Sequence, residues 1–250
     1  SSAEFAKAAG YPGLAIDPVH AFHVVFGKSV PDISLNAVAN LGYADGRIRR
    51  PVMPGDALNT VSEVIGTKEN SNKRTGVVWV RTRGFNQRGE EVMSFVRWVM
   101  VNKWEEDNEV PPTTVPDLPD AVPGSELEGV PGMENWDFAL AGSPYGFEDY
   151  EIGEKINHVD GMTVEEAEHQ TATRLYQNTA KVHFDAHGQK DSRFGKRLIY
   201  GGVVISVARS LAFNGLANAG QVLAINAGTH ASPLFAGDTI YAWSEVLDKA

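Results

Sequence analysis

The sequence contains no cysteine. Disulfides, thiolate metal sites and a cysteine nucleophile are thereby excluded. It also lacks any apolar run of the ~18 residues that a membrane span requires, and its opening residues show no secretory pattern. Positive charge is scarce: 22 Lys and Arg stand against 32 Asp and Glu, a net charge of −10. Broad electrostatic binding to nucleic acid or to an anionic membrane is disfavoured by that balance. Neither a Walker loop nor a Gly-x-Gly-x-x-Gly pattern is found. A cytoplasmic protein with neither nucleic-acid nor membrane partners is expected.

What is present is an ordinary globular mixture, 250 residues long with 42% apolar and 22% charged positions. Six of the 13 prolines fall between Pro111 and Pro131, inside a strongly acidic stretch. Prolines cannot donate to a ladder and no apolar period runs through them, so residues 105–146 read as an extended surface linker. Two units flank it, 1–104 and 147–250.

The two units are related. Pro51-Val-Met-Pro-Gly-Asp-Ala-Leu-Asn-Thr-Val-Ser-Glu-Val-Ile65 and Pro233-Leu-Phe-Ala-Gly-Asp-Thr-Ile-Tyr-Ala-Trp-Ser-Glu-Val-Leu247 share Pro, Gly, Asp, Ser, Glu and Val in register. Each reads as a Gly-Asp turn feeding a strand. Asp17-Pro18, an N-cap with proline at the first helical position, opens an apolar stretch from Val19 to Val30. One repeat later Tyr200-Gly201-Gly202 opens Val203–Phe213, which is apolar almost all round and so predicts a buried helix. A hairpin is expected from Thr75–Phe85 and Glu91–Val101 through Asn86-Gln-Arg-Gly89. The stretch from Phe147 to His183 has no first-half counterpart, and the second half ends three residues after Leu247. The repeat therefore reads as a piece of a longer chain, truncated at both ends, with its sheets incomplete.

Chemistry concentrates in Tyr176-Gln-Asn178-Thr-Ala-Lys-Val-His183-Phe-Asp185 and Arg193-Phe-Gly-Lys196-Arg-Leu-Ile-Tyr200-Gly201. This run resembles the hydratase motif of the MaoC-like dehydratases, the R-specific enoyl-CoA hydratases. In the first half, Phe26 to Tyr43 and Glu69 to Val80 resemble the mesaconyl-CoA hydratases (β-methylmalyl-CoA dehydratases) of the same superfamily. The resemblance implies an α+β double hot-dog, two antiparallel sheets each wrapped on a central helix. It implies reversible hydration of a short branched enoyl-CoA, best matched by mesaconyl-CoA, with no metal or redox cofactor. A homo-oligomer of double hot-dog chains is expected. By the same resemblance, His183 orients or deprotonates water and the Gly201 N–H binds the thioester oxygen. Asp185, Tyr200, Arg193 and Lys196 are expected around the substrate.

The sequence departs from the motif at two positions. Asn178 stands where an acid is expected, and an amide can hold a water but cannot titrate. Tyr200 stands where a histidine precedes the helix glycine. Either the second half keeps a divergent working site, or it forms a binding wall and the catalytic pair precedes Ser1. The repeat favours the wall. Several plainer readings stand beside these. His183, Asp185 and His187 alternate at the spacing of metal ligands in an extended segment, although no fourth ligand is evident. His20 and His23 read as a packed pair. A general R-specific hydratase, a hot-dog thioesterase and a non-catalytic acyl-CoA binding module are the functional alternatives.

Overall fold

The computed structural model describes residues 2–128 and 135–249. A short helix α1, Ala3–Ala8, precedes α2, Pro18–Ile33, whose N-cap Asp17 accepts from the Val19 N–H at 2.8 Å. Four antiparallel strands follow: β1 (Ala37–Ile48), β2 (Asn59–Glu69), β3 (Thr75–Phe85) and β4 (Glu91–Asn102). The expected hairpin is β3–β4, with Thr75 opposite Asn102 and Phe85 opposite Glu91. Past the linker, which carries a single helical turn α3 (Phe138–Ala141), come β5 (Lys155–Thr163), α4 (Glu166–Leu175) and α5 (Lys181–Phe184). The second central helix, α6 (Gly201–Leu211), is buried on one face only, at Gly202, Val203, Val207 and Leu211, and continues into a kinked turn α7 (Phe213–Leu216) and then β6 (Ala224–Thr229) and β7 (Thr239–Glu245).

The strands form one sheet in the order β2-β3-β4-β1-β6 and a two-stranded sheet β5-β7. Strand β6 thus crosses from the second half to extend the first half's sheet, against β1. The core lies under this sheet, where Phe22, Val25, Phe26 and Val30 of α2 meet Tyr43, Phe95, Tyr200, Val203 and Val207. Phe22 and Phe26 pack on Phe95, with ring centroids 4.8 and 6.3 Å away. Here α2 and α6 meet through these side chains.

The acidic linker is extended, as its prolines require, and it is fastened along its described part. Thr114 and Thr67 of β2 exchange both backbone hydrogen bonds, at 2.9 and 2.8 Å. Glu126 pairs with Arg47 and Glu128 with Arg49, while the Val122 N–H donates to Asn226 at 2.9 Å. Two of its acids therefore neutralise first-half arginines instead of facing solvent alone.

Candidate active site

The site is assembled by the way α4 stops. Tyr176 caps the helix and Gln177 turns left-handed, with φ 59°. The Gln177 N–H then bonds Arg174 O at 3.0 Å and the Asn178 N–H bonds Thr173 O at 3.1 Å, the double closure of a Schellman motif. Asn178 is buried, and its side-chain oxygen accepts from the Ala180 N–H at 2.9 Å. That turn starts α5, which carries His183. The loop is seated on α2 at Gly27, where a β-carbon would fall 1.8 Å from the Tyr176 carbonyl oxygen. Only glycine allows so close an approach.

The His183 Nδ1 lies 3.0 Å from the Leu198 carbonyl. A carbonyl only accepts, so the proton sits on Nδ1 and Nε2 keeps its lone pair. Burial, with His230 adding to it and the Leu198 carbonyl opposing, lowers the pKa of His183 to about 4. The imidazole is therefore neutral and able to accept a proton at neutral pH.

Its ring lies 5.4 Å from that of Tyr200, the N-cap of α6. Tyr200 makes no side-chain cap, so the first N–H groups of α6 are left for a ligand at the positive end of the helix. The Gly201-Gly202 pair clears space on two sides. A β-carbon on Gly201 would meet the His230 ring at 2.2 Å, and one on Gly202 would meet the Tyr200 ring at 2.4 Å. His230 in turn bonds the Tyr43 hydroxyl through Nε2 at 3.0 Å, so the first half contributes to the site. From α4, His169 accepts the Tyr200 N–H on Nε2 at 2.8 Å and fixes the entry to the helix. Burial lowers the pKa of His169 to about 4 and holds that of His230 below its ordinary value.

The first-half helix offers no such site. Pro18, the repeat equivalent of Gly201, has no N–H, and the Asp17 carboxylate already occupies the Val19 N–H.

His183, Tyr200 and Gly201 are thus gathered around one helix end, while Asn178 stands in the turn between α4 and α5. Asp185 is not turned toward them: its carboxylate accepts the Gly188 N–H at 2.9 Å. Arg193 and Lys196 lie outside on the exposed loop, over the rings of Phe194 at 5.3 Å and Phe235 at 4.1 Å. The segment expected to be extended at His183 is the helical turn α5, which removes the alternation behind the His183-Asp185-His187 metal reading. Among the described residues no three His, Asp or Glu are placed to hold a metal ion. Of the expected packed pair, His23 is fully buried against Phe22 at 5.3 Å, whereas His20 is exposed with its ring 5.5 Å from that of Tyr176. His169 and His230 escaped sequence reasoning because neither lies in the motif; only the fold brings them to α6.

A family model described as mesaconyl-CoA hydratase matches residues 2–121. The chain is 62% identical over 252 residues to the mesaconyl-CoA hydratase of Cereibacter sphaeroides, covering all of this chain and 73% of that one. It is 57% identical to the β-methylmalyl-CoA dehydratase of Chloroflexus aurantiacus, covering 71% of it. A MaoC-domain dehydratase structure from Chloroflexus aurantiacus J-10-fl, 56% identical, superposes with a TM-score of 0.96 over 99% of this chain and 71% of that one. A Mycobacterium tuberculosis protein described as having a double hot-dog fold, 26% identical, gives 0.76 over 96% of this chain and 72% of its own. The fold is accordingly the α+β double hot-dog, and the chain belongs to the mesaconyl-CoA hydratase family.

Proposed function

We propose that the protein is a hydro-lyase that catalyses the reversible hydration of mesaconyl-CoA to β-methylmalyl-CoA, using the end of α6 as its active site. One observation carries the placement: the α6 N-terminus is uncapped by Tyr200's side chain and ringed by His169, His183 and His230, whereas the α2 N-terminus is closed by Asp17 and Pro18.

Hydration forms a bond from water oxygen to the β-carbon and places a hydrogen on the α-carbon. His183 Nε2 takes the proton from water as that oxygen attacks. The electrons of the double bond move onto the thioester oxygen, where the Gly201 N–H and the helix dipole hold the charge. Asn178 does not titrate, and its oxygen is already used by Ala180, so its amide N–H is the part that can orient water. A second proton carrier has to serve the α-carbon. His230, resting on Gly201 and close to His183, is placed to pass the proton that His183 took from water on to the α-carbon, which returns both imidazoles to their neutral forms. Dehydration runs the same steps backwards. The reaction is redox-neutral and the donors come from the chain, so neither metal nor redox cofactor is required. On the exposed loop, Arg193 and Lys196 with Phe194 and Phe235 offer cations and ring faces to the nucleotide end of CoA. A cytoplasmic homo-oligomer acting on an acyl-CoA fits this reading.

The test is incubation with mesaconyl-CoA in D2O. Loss of the enoyl thioester absorbance, a product heavier by one water and a single deuterium on the α-carbon are expected. Binding without any product would overturn the reading and leave an acyl-CoA binding module.

A further inference from the structure

Arg97 on β4 is wholly buried, and it has no carboxylate. One terminal nitrogen donates to Ser34 Oγ at 2.7 Å; the other donates to the Ser29 carbonyl at 3.2 Å and to Ser29 Oγ at 3.1 Å. The guanidinium carbon stands 4.6 Å from the centre of the Phe26 ring. Its Nε has no partner. Asp32 acts on it through space, but it is exposed and no described acid forms an ion pair with Arg97. Tyr43 and Tyr200 also lie close, and the Tyr200 hydroxyl is buried without a partner.

A buried guanidinium paired only with neutral oxygens is costly relative to an apolar side chain of similar volume. Its pKa, lowered by burial to about 10, reflects that cost. A role confined to packing would be better filled by methionine or leucine. The missing negative charge has an obvious source if the hydratase reading holds: mesaconyl-CoA carries a free carboxylate at the end of its acyl chain opposite the thioester. Tyr200 stands between the two ends. It directly precedes Gly201, and its ring lies 5.4 Å from His183 and 5.6 Å from Phe26, which in turn covers Arg97.

We infer that Arg97 anchors the free carboxylate of the acyl group and thereby selects dicarboxylic over monocarboxylic enoyl thioesters. This rests on the proposed hydratase activity and deepens it. Ser29 and Ser34 hold the guanidinium plane, leaving Nε as the donor for the carboxylate, with the Tyr200 hydroxyl as a second. The carboxylate reaches them when the Tyr200 ring turns away from Phe26. The same anchor fixes the β-carbon, to which the carboxylate is attached, in front of the water at His183.

The test compares kcat/KM for mesaconyl-CoA and crotonyl-CoA, which lacks the carboxylate, in wild type, Arg97→Met and Ser34→Ala. The mesaconyl-to-crotonyl ratio is expected to fall about 100-fold in Arg97→Met, the usual scale for removing one partner of a buried charge pair. Ser34→Ala keeps the charge but loosens its plane, and a smaller fall in the same ratio is expected, through KM. Calorimetric binding of methylsuccinyl-CoA against butyryl-CoA reads the preference without turnover, so a folded but inactive variant still reports. An unchanged ratio and an unchanged binding preference in Arg97→Met overturn the anchor alone. If Arg97→Met does not fold, an unchanged ratio in Ser34→Ala overturns it. A wild type that does not hydrate mesaconyl-CoA overturns the hydratase reading, and the anchor with it.

Discussion

His23 Nε2 lies 2.9 Å from Ser206 Oγ, and the two residues stand at the same position of the two halves, 183 residues apart. The sheet repeats the relationship. Ala44 of β1 pairs with Ala227 of β6 at that offset, flanked by Gly42 with Thr229 and Gly46 with Ile225. A pseudo-twofold axis therefore runs between α2 and α6 and through the β1–β6 pair. The second half is docked on the first as one copy of a symmetric dimer would be. Ser206→Ala leaves His23 with neither ring nitrogen bonded, since its Nδ1 already lacks a partner. A loss of about 1–3 kcal/mol in urea unfolding is expected.

The seat of the Tyr176–Asn178 turn on α2 gives a sharper test. Gly27→Ala drives a methyl group into the Tyr176 carbonyl oxygen, which is backbone and cannot swing aside. Overpacking of this kind costs about 1–3 kcal/mol, and the Tyr176–Asn178 turn should shift with it. Turnover is therefore expected to fall further than stability alone explains, measured as kcat beside Tm.

Gln177 predicts the opposite sign. Its left-handed backbone is strained for a residue with a β-carbon, and glycine relieves it. Gln177→Gly should raise stability by up to about 1 kcal/mol in chemical unfolding, the scale of the left-handed penalty. Should it lower stability, the Schellman closure is not what ends α4.

The buried histidines set the acid limit. Burial brings His23 to about 3, with His20 adding to the effect, and burial likewise brings His169 and His183 to about 4, all below the ordinary 6.5. The unfolded chain therefore binds more protons than the folded one once pH drops below 6.5. Stability is full above that value and is lost as pH falls toward 4, by up to ~1.4 kcal/mol per pH unit for each histidine. For activity, the base form of His183 persists to about pH 4, so the acid limb of kcat/KM should lie near there and not near 6.5. Pre-steady-state assays at pH values where circular dichroism shows a folded protein separate the two effects.

Much of this architecture was legible in the sequence because it rests on local patterns. Asp17-Pro18 and Tyr200-Gly201-Gly202 marked the starts of both central helices, and the repeated Pro-to-Leu segments marked the matching turns and strands. The Asn178-to-Gly201 motif pointed to the α6 end at which the active site is proposed. Hidden from sequence were the groups that only tertiary structure brings there. His230 follows β6 and arrives because β6 pairs with β1; His169 arrives because α4 packs beside α6. Arg97 was hidden too, since nothing in Val96-Arg97-Trp98 tells which face of β4 is sealed. Asp185 was named by the resemblance, and the helical turn before it leaves its carboxylate accepting the Gly188 N–H.

The central claim is that chemistry resides in the second half, at His183. The most direct measurement is the initial rate of mesaconyl-CoA hydration by wild type and His183→Ala, followed by loss of enoyl thioester absorbance at equal folded fraction. Removing a general base is expected to lower kcat by about 10²–10⁴-fold while Tm and binding of methylsuccinyl-CoA hold. A His183→Ala variant that turns over at the wild-type rate would contradict the account and return the second half to the role of a binding wall.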